Sequence, residues 1–158
     1  MGYAGLLKSE IFSSPLAKKT LHDISDIKIP LTERKYEKSG LSEETAEQYK
    51  DALLQIMETQ KPYKQNDLTL SQLAEILNIS PHNLSEVINS QLHKSFYDLI
   101  NEYRINEVKK DLVDPSKNHL KILFIAFDAG CNSKASFNTI FKEKVGTTPS
   151  EFRNKNTD

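Results

Sequence analysis

The sequence predicts an all-α protein, and three observations support this fold class. Apolar residues recur at helical spacing from residue 42 onward, and no alternating pattern is long enough to indicate a β-strand. The segments 70–88 and 122–141 carry the same order of apolar and turn residues, which is typical of a helix-turn-helix motif. Between them, from about Lys94 to Val113, apolar residues recur at helical spacing without an internal Gly or Pro. We therefore expect two helix-turn-helix subdomains joined by a long central helix, preceded by one further helix and a partly extended N-terminal segment.

The N-terminal part shows little apolar periodicity. Pro15 and Pro30 interrupt a segment rich in Lys, Ser, Asp and Thr, so we expect residues 1–41 to form an extended or flexible leader.

A helix is expected in the linker region, residues 42–66. Ser42 offers an N-cap followed by acidic residues, and Pro62 marks the end of the helical pattern. The apolar positions of this helix could pack on the first motif, which we favour, or form a homodimer contact through residues 42–60. These positions are Leu53, Leu54, Ile56 and Met57.

The first motif is expected at about residues 69–92. Asp67 or Thr69 caps its first helix, and Ser80-Pro81 opens its second with proline at the first helical position. One uninterrupted connecting helix should follow at about residues 94–113.

The second motif is expected at about residues 118–146. Gly130 can supply the positive φ that the turn requires, Ser133 caps the second helix, and Gly146 ends it. Aligning the motifs with a one-residue insertion places Asn78 on Gly130. The alignment continues past the motifs and places His93 on Gly146. A short final helix should begin at Pro149.

Composition limits the classes of function. The 21 basic and 22 acidic residues give a net charge of −1, so no overall positive field attracts nucleic acid. From Lys117 to Asp158, however, seven basic residues face four acidic ones. The single cysteine and the lack of an export signal or membrane span indicate a cytoplasmic chain.

The second helix of each motif has an apolar back and a polar front, as a helix that enters the major groove of DNA requires. Lys134 suits guanine or phosphate, and Asn138 suits adenine. The polar front of the first motif consists of His82, Asn83, Ser85, Glu86 and Asn89. That of the second consists of Ser133, Lys134, Ala135, Asn138, Thr139 and Lys142.

Residues 67–158 carry the marks of a known family. The marks lie in the second motif and after it. In chain order they are Ile125-Ala126, Gly130, Asn132-Ser133-Lys134, Ser136-Phe137, Phe141-Lys142 and the run from Gly146 to Arg153. In these residues the chain resembles the DNA-binding domain of the AraC/XylS family of bacterial transcription regulators. The resemblance implies that two recognition helices enter successive major grooves on one face of DNA. It also implies that seven residues face the bases: His82, Ser85, Glu86, Lys134, Ala135, Asn138 and Thr139.

The resemblance suggests further partners and roles. Arg104, Lys142 and Arg153 are expected to hold phosphates. RNA polymerase could be a protein partner of such a regulator. The sequence from Lys35 to Tyr63 is similar to the juxtamembrane linker of membrane-anchored members, which would make this chain the cytoplasmic output part of a longer sensor tethered to the inner membrane.

DNA binding has one alternative in the sequence, and other functions lack their signals. The near-neutral charge keeps open a protein-interaction module that uses the same helices to dock a partner. The four histidines lack metal-ligand spacing, and no phosphate-binding glycine loop or paired nucleophile and base indicates catalysis. We therefore expect neither an enzyme nor a metal or other cofactor.

Overall fold

The computed structural model describes residues 40–157, so most of the predicted leader, residues 1–39, lies outside the described residues. The described residues are helical and contain no β-strand. None of their helices is long and apolar enough to cross a membrane. The α-helices are α1 (Glu43–Thr59), α2 (Leu70–Ile76), α3 (Pro81–Leu92), α4 (Phe96–Leu112), α5 (Ile122–Asp128), α6 (Lys134–Val145) and α7 (Pro149–Asn156), and 3-10 helices lie at Pro62–Lys64 and Pro115–Lys117.

Helix α1 begins where the sequence predicts and belongs to the first subdomain. The Ser42 hydroxyl oxygen accepts a hydrogen bond from the Thr45 N–H at 3.2 Å. Leu53 and Met57 are fully buried, and the helix packs against α3. The favoured alternative for its apolar residues, packing on the first motif, is therefore the one observed.

The two motifs use the same backbone hydrogen bonds at their turns. In the first, the N–H groups of Asn78 and Ile79 bond to carbonyls three and five residues earlier, each at 3.0 Å. Gly130 and Cys131 repeat this pattern in the second motif, also at 3.0 Å. Asn78 and Gly130 both have positive φ, +55° and +96°. The turns of the two motifs therefore have the same backbone hydrogen bonds and the same sign of φ, which confirms the repeat inferred from the sequence.

The ends of the second helix also match between motifs. Ser80 caps α3 and Ser133 caps α6, each accepting from the N–H three residues later. The left-handed residues that end these helices are His93 and Gly146, two positions that the alignment pairs.

Each subdomain has its own hydrophobic cluster, and α4 contributes to both. Leu99 and Ile100, near the start of α4, join the first cluster with residues from α1, α2 and α3. Ile105, Val108 and Leu112 join the second cluster with residues from α5 and α6. The connecting helix is therefore shared by the two cores.

Residues 61–65, which we call the bridging segment, lie between α4 and the turn of the second motif. Arg104, on α4, donates from Nε to the Tyr63 carbonyl and from Nη2 to the Gln65 carbonyl, both at 2.8 Å. On the other side lies Gly130: a Cβ there would collide with the Tyr63 carbonyl oxygen and lie 2.9 Å from Arg104 Nε. The absence of a side chain at Gly130 allows this close approach.

Glu107 forms the second attachment of the bridging segment to α4. Its carboxylate accepts from Lys61 Nζ at 3.0 and 3.1 Å and from the Tyr63 hydroxyl at 3.2 Å. Lys64 Nζ lies 3.1 Å from the same carboxylate and 3.4 Å from Asp128 on α5. One buried carboxylate is thus shared by three side chains of the segment.

The ion pairs determine the ionisation of Glu107. Burial by itself would raise the pKa of Glu107, but hydrogen bonds and charges from Lys61 and Lys64 outweigh it and hold the pKa at about 2. Burial, reinforced by the nearby carboxylate, raises the pKa of Tyr63. The carboxylate is therefore charged, and the Tyr63 hydroxyl remains its donor, at neutral pH.

Replacing Gly130 by Ala should destabilise the fold more than replacing Gly146. Both residues have positive φ, so both variants are strained by about 1 kcal/mol, but only at Gly130 would the methyl group meet backbone atoms. We expect Gly130→Ala to lower the free energy of unfolding by roughly 3 kcal/mol or more, and Gly146→Ala by about 1 kcal/mol. Urea unfolding of both variants measures the difference, and equal losses would contradict the close approach.

Replacing Glu107 by Gln should change how stability depends on acid. Because the pKa of Glu107 is lowered from 4.5 to about 2 by folding, its contribution is full above pH 4.5 and is lost as the pH falls towards 2. Glu107→Gln should therefore be less stable than wild type at pH 7. The gap should narrow below pH 4.5 by up to about 1.4 kcal/mol per pH unit. Urea unfolding between pH 2 and 7 tests this, and a gap that does not change with pH would show that the carboxylate charge does not contribute.

Candidate nucleic-acid interface

Helix α3 presents the predicted polar front of the first motif. Leu84, Val87 and Ile88 are buried behind it. Among the predicted contact residues, His82 and Asn89 are exposed, whereas Asn83, Ser85 and Glu86 are half-buried. Asn89 Nδ2 donates to the Ser85 hydroxyl at 3.4 Å, so these two polar side chains lie on one face, one turn apart.

Helix α6 presents a more open surface. Phe137 and Phe141 form its buried side and contact each other edge to face. All six predicted contact residues are exposed: Ser133, Lys134, Ala135, Asn138, Thr139 and Lys142. Of these, Thr139 donates to the Ala135 carbonyl at 3.0 Å, and Ser133 serves as the N-cap. The amide of Asn138 and the ammonium groups of Lys134 and Lys142 are therefore available to bind a ligand.

The two recognition helices differ in charge. The sequence of α3 contains no Lys or Arg and one Glu, whereas α6 contains three lysines and one Glu. Lys134, Lys142 and Lys144 are all exposed. Helix α6 is therefore the better surface for phosphates, whereas α3 presents neutral donors and acceptors together with Glu86.

Arg104 does not lie where phosphate binding requires. The residue is 9% exposed, and its Nε and Nη2 are engaged by the carbonyls of Tyr63 and Gln65. Burial lowers its pKa, which is the effect expected of a guanidinium removed from water. The structure corrects the sequence prediction: Arg104 fastens the bridging segment and is not at the surface.

Arg153 requires a similar correction. Its Nη1 donates to the Leu120 carbonyl at 2.9 Å, which ties α7 to the residues that precede α5. Its Nε and Nη2 are buried and have no hydrogen-bond partner among the described residues. With Nη1 bonded to a carbonyl and the other two nitrogens buried, the guanidinium does not face solvent as a phosphate contact must.

A surface cleft beside α6 was not predicted from the sequence. It has a volume of about 460 Å³ and lies between Asn138, Thr139 and Lys142 of α6 and the residues Thr148–Ser150 at the start of α7. The cleft extends the polar surface of the recognition helix towards the N-terminus of α7. Sequence spacing gave no indication of it, because it depends on how α6 packs against α7.

The attachment of the bridging segment was also missed, although the sequence carries a signal for it. Arg104, Glu107 and Asp111 recur at spacings of three and four, on the same stripe of α4 as the apolar residues. Charged residues on a buried stripe are rarely left unpaired. This pattern indicates buried partners, but it does not identify Tyr63 or Lys64 as those partners.

Comparison with known proteins places this arrangement in a family. The helix-turn-helix domain family matches residues 73–155, which run from within the first helix of the first motif through the connecting helix and the second motif. The chain belongs to the AraC-type helix-turn-helix family. This is a family of DNA-binding transcription regulators, in agreement with the resemblance found in the sequence.

Solved structures share the fold. The C-terminal domain of AraT, a response regulator from Geobacillus stearothermophilus, is 32% identical with a TM-score of 0.56, and the match covers 74% of this chain and 88% of that domain. The C-terminal domain of the two-component response regulator yesN from Fusobacterium nucleatum is 28% identical with a TM-score of 0.57, covering 67% and 98%. An AraC-type regulator from Chromobacterium violaceum shares the fold at 19% identity, with a TM-score of 0.60 and coverage of 72% and 96%.

Curated relatives match over the same region. The bifunctional transcriptional activator and DNA repair enzyme AdaA of Bacillus subtilis is 33% identical over 54% of this chain. An uncharacterized HTH-type transcriptional regulator of Staphylococcus aureus is 34% identical over 55% of it. The match spans 39% of the first relative and 11% of the second.

The placement of Arg104 gives a testable expectation. Arg104→Lys keeps the charge but cannot make both carbonyl hydrogen bonds, and it should lower the free energy of unfolding by on the order of 2–4 kcal/mol. Because the side chain is not at the surface, the salt dependence of DNA binding should not change in the folded variant. Urea unfolding and binding titrations at several salt concentrations test both parts. A stable variant with a shallower salt slope would restore Arg104 as a phosphate contact.

Proposed function

We propose that this chain is the DNA-reading part of a sequence-specific transcription regulator, which inserts α3 and α6 into successive major grooves on one face of the duplex. The observation that carries the proposal is the duplicated motif. Each copy holds a capped 12-residue helix with an apolar back in a core and a polar front outside. The family match over both motifs supports it.

The length of the connecting helix suits two-groove binding. Helix α4 has 17 residues, which gives about 26 Å at 1.5 Å per residue. Successive major grooves lie roughly 34 Å apart. Motifs packed at opposite ends of α4 are thus separated by a distance of this order.

The side chains on the two fronts suit different tasks. On α6, Lys134 suits guanine or a phosphate, Asn138 suits adenine, and Lys142 suits a phosphate. On α3, His82 can donate and accept, and Glu86 can accept from cytosine. We therefore propose that α6 supplies most of the electrostatic affinity and that α3 contributes mainly selectivity.

Partners beyond DNA are also proposals. The large apolar side chains Phe124 and Phe127, on α5, are 60% and 47% exposed, which favours a protein contact such as RNA polymerase.

A homodimer through residues 42–60 would have to use the part of α1 that the first core leaves uncovered. A sensor portion tethered to the inner membrane, with this chain in the cytoplasm, is supported by the resemblance of residues 35–63 alone. We propose regulation, without catalysis, as the activity of this chain.

Selection from a randomised duplex pool, followed by sequencing and repeated at two salt concentrations, tests the proposed function. We expect two short elements about one helical turn apart to be enriched and to bind more weakly as salt increases. Weak, salt-sensitive retention without enrichment would contradict sequence-specific reading. Retention of no duplex at either salt concentration would favour the protein-interaction module.

Two lysine variants distinguish reading of a base from binding of the backbone. Lys142→Ala should weaken binding to all sequences alike and reduce the salt slope by about one. Lys134→Ala should in addition relax selectivity at one position, at a cost of about 1–3 kcal/mol if the lysine contacts guanine. The measurements are binding titrations on the selected duplex and its single-base variants.

Lys110→Ala is the matched control, since Lys110 is an exposed lysine on α4, outside both recognition helices. Its affinity, salt slope and selectivity should equal those of wild type. An equal loss in all three variants would mean that the effect reflects general charge and not these two positions.

A further inference from the structure

We propose that the bridging segment, residues 61–65, acts as a brace that fixes the angle between the two recognition helices, with Lys64 and Glu107 as positioning residues for two-groove reading. This inference rests on the proposed function and adds how the spacing of the two DNA elements is selected. It assigns a role to a segment that precedes the first motif and to Glu107 on α4, all outside the predicted base-contact residues.

The segment contacts both sides of the junction between the subdomains. Tyr63 is 3% exposed and belongs to the first hydrophobic cluster, with Leu53 and Met57 of α1. Its carbonyl lies against Gly130, in the turn of the second motif. A single residue thus touches the core of the first subdomain with its side chain and the turn of the second with its backbone.

Lys64 makes the same connection through charge. Its ammonium group lies 3.1 Å from Glu107 on α4 and 3.4 Å from Asp128 at the end of α5. Glu107 also binds Lys61 and the Tyr63 hydroxyl, so the segment is held to α4 at three side chains. Burial would lower the pKa of Lys64, but the two carboxylates outweigh it and raise the pKa, which keeps the bridging charge in place at neutral pH.

Without these contacts, the two motifs would be joined mainly through α4. Helices α5, α6 and α7 pack on the C-terminal half of α4, which attaches the second motif to this helix. The bridging segment adds a second attachment that is distant in sequence, between residues 63–64 and residues 128–130. Two separate attachments restrict rotation and bending that one would permit. A stiff link favours one spacing of the two DNA elements and penalises others.

The brace can be weakened without replacing a residue of either hydrophobic cluster. Lys64→Met removes the contacts with both Glu107 and Asp128, and Glu107→Gln removes the charge while keeping a hydrogen-bond acceptor. Lys117→Met is the matched control. The Lys117–Asp111 pair joins the same helix at 2.6 Å, with side-chain exposures of 36% and 12%, against 35% and 8% for Lys64 and Glu107. That pair lies within the second subdomain, and Lys117 interacts with the bridging segment only by charge repulsion with Lys64.

A distance measurement without DNA tests the brace directly. Spin labels at Ser90→Cys on α3 and Glu143→Cys on α6, in a Cys131→Ser background, report the distance between the recognition helices by double electron–electron resonance. Both labelled positions are exposed and outside the predicted contact sets. We expect one narrow distance distribution for the otherwise unchanged chain and for Lys117→Met, and a broadened or shifted one for Lys64→Met and Glu107→Gln. Unchanged distributions in both brace variants would overturn the inference, whatever the DNA experiments show.

The consequence for DNA is tested with the selected duplex and derivatives in which one base pair is inserted or deleted between the two elements. For wild type and Lys117→Met, we expect affinity to fall about tenfold on changing the spacing, and for the brace variants about threefold or less. A variant that only lost stability would bind all spacings less well in the same proportion, so the ratio between spacings separates positioning from folding. Urea unfolding of each variant confirms that it is folded under the binding conditions.

The outcomes distinguish the two proposals. If wild type binds no sequence selectively, the proposed function fails, and the spin-label distances still decide whether the brace exists. If wild type prefers one spacing and the brace variants keep the same preference, the positioning role is wrong while the proposed function stands.

Discussion

The structure depends on the close passage of the Tyr63–Lys64 peptide between α4 and the turn at Gly130. Two interactions hold the peptide there. The Arg104 guanidinium donates a hydrogen bond to the Tyr63 carbonyl, and the Glu107 carboxylate forms ion pairs with Lys61 and Lys64. The passage is open only because residue 130 has no Cβ. The motifs have separate hydrophobic cores, so this contact and the shared helix α4 determine how one motif is placed relative to the other.

A buried carboxylate is an uncertain source of stability, because removal from water costs about as much as pairing returns. The main effect of Glu107 here is to fix the relative position of the elements that it joins. Glu107 has two cationic partners and a hydroxyl donor, and Lys64 has a second acceptor in Asp128, so each group is satisfied in one relative position of α4, α5 and the bridging segment. An apolar contact would allow these elements to slide past one another, whereas the ion pairs and hydrogen bonds restrict such movement.

Local features of the fold could be read from the sequence because they depend on neighbouring residues. Ser42, Ser80 and Ser133 cap their helices, and Gly130 has the positive φ that was predicted for its turn. The exposure of the α6 front followed from its spacing. The roles of Arg104 and Arg153 could not be predicted in this way. Their partners, the carbonyls of Tyr63, Gln65 and Leu120, are backbone atoms 33 to 41 residues away, and a sequence pattern does not indicate such contacts.

We propose that both motifs read one duplex at the same time, although the chain has a net charge of −1 and, of the two recognition helices, only α6 is rich in lysine. Hydroxyl-radical footprinting on a selected duplex tests this most directly, since it reports each protected stretch of backbone separately. We expect two protected stretches on one face of the DNA helix, about one turn apart, that appear at the same protein concentration. A single stretch, or a second one that appears only at much higher concentration, would show that one motif binds alone and would contradict two-groove reading.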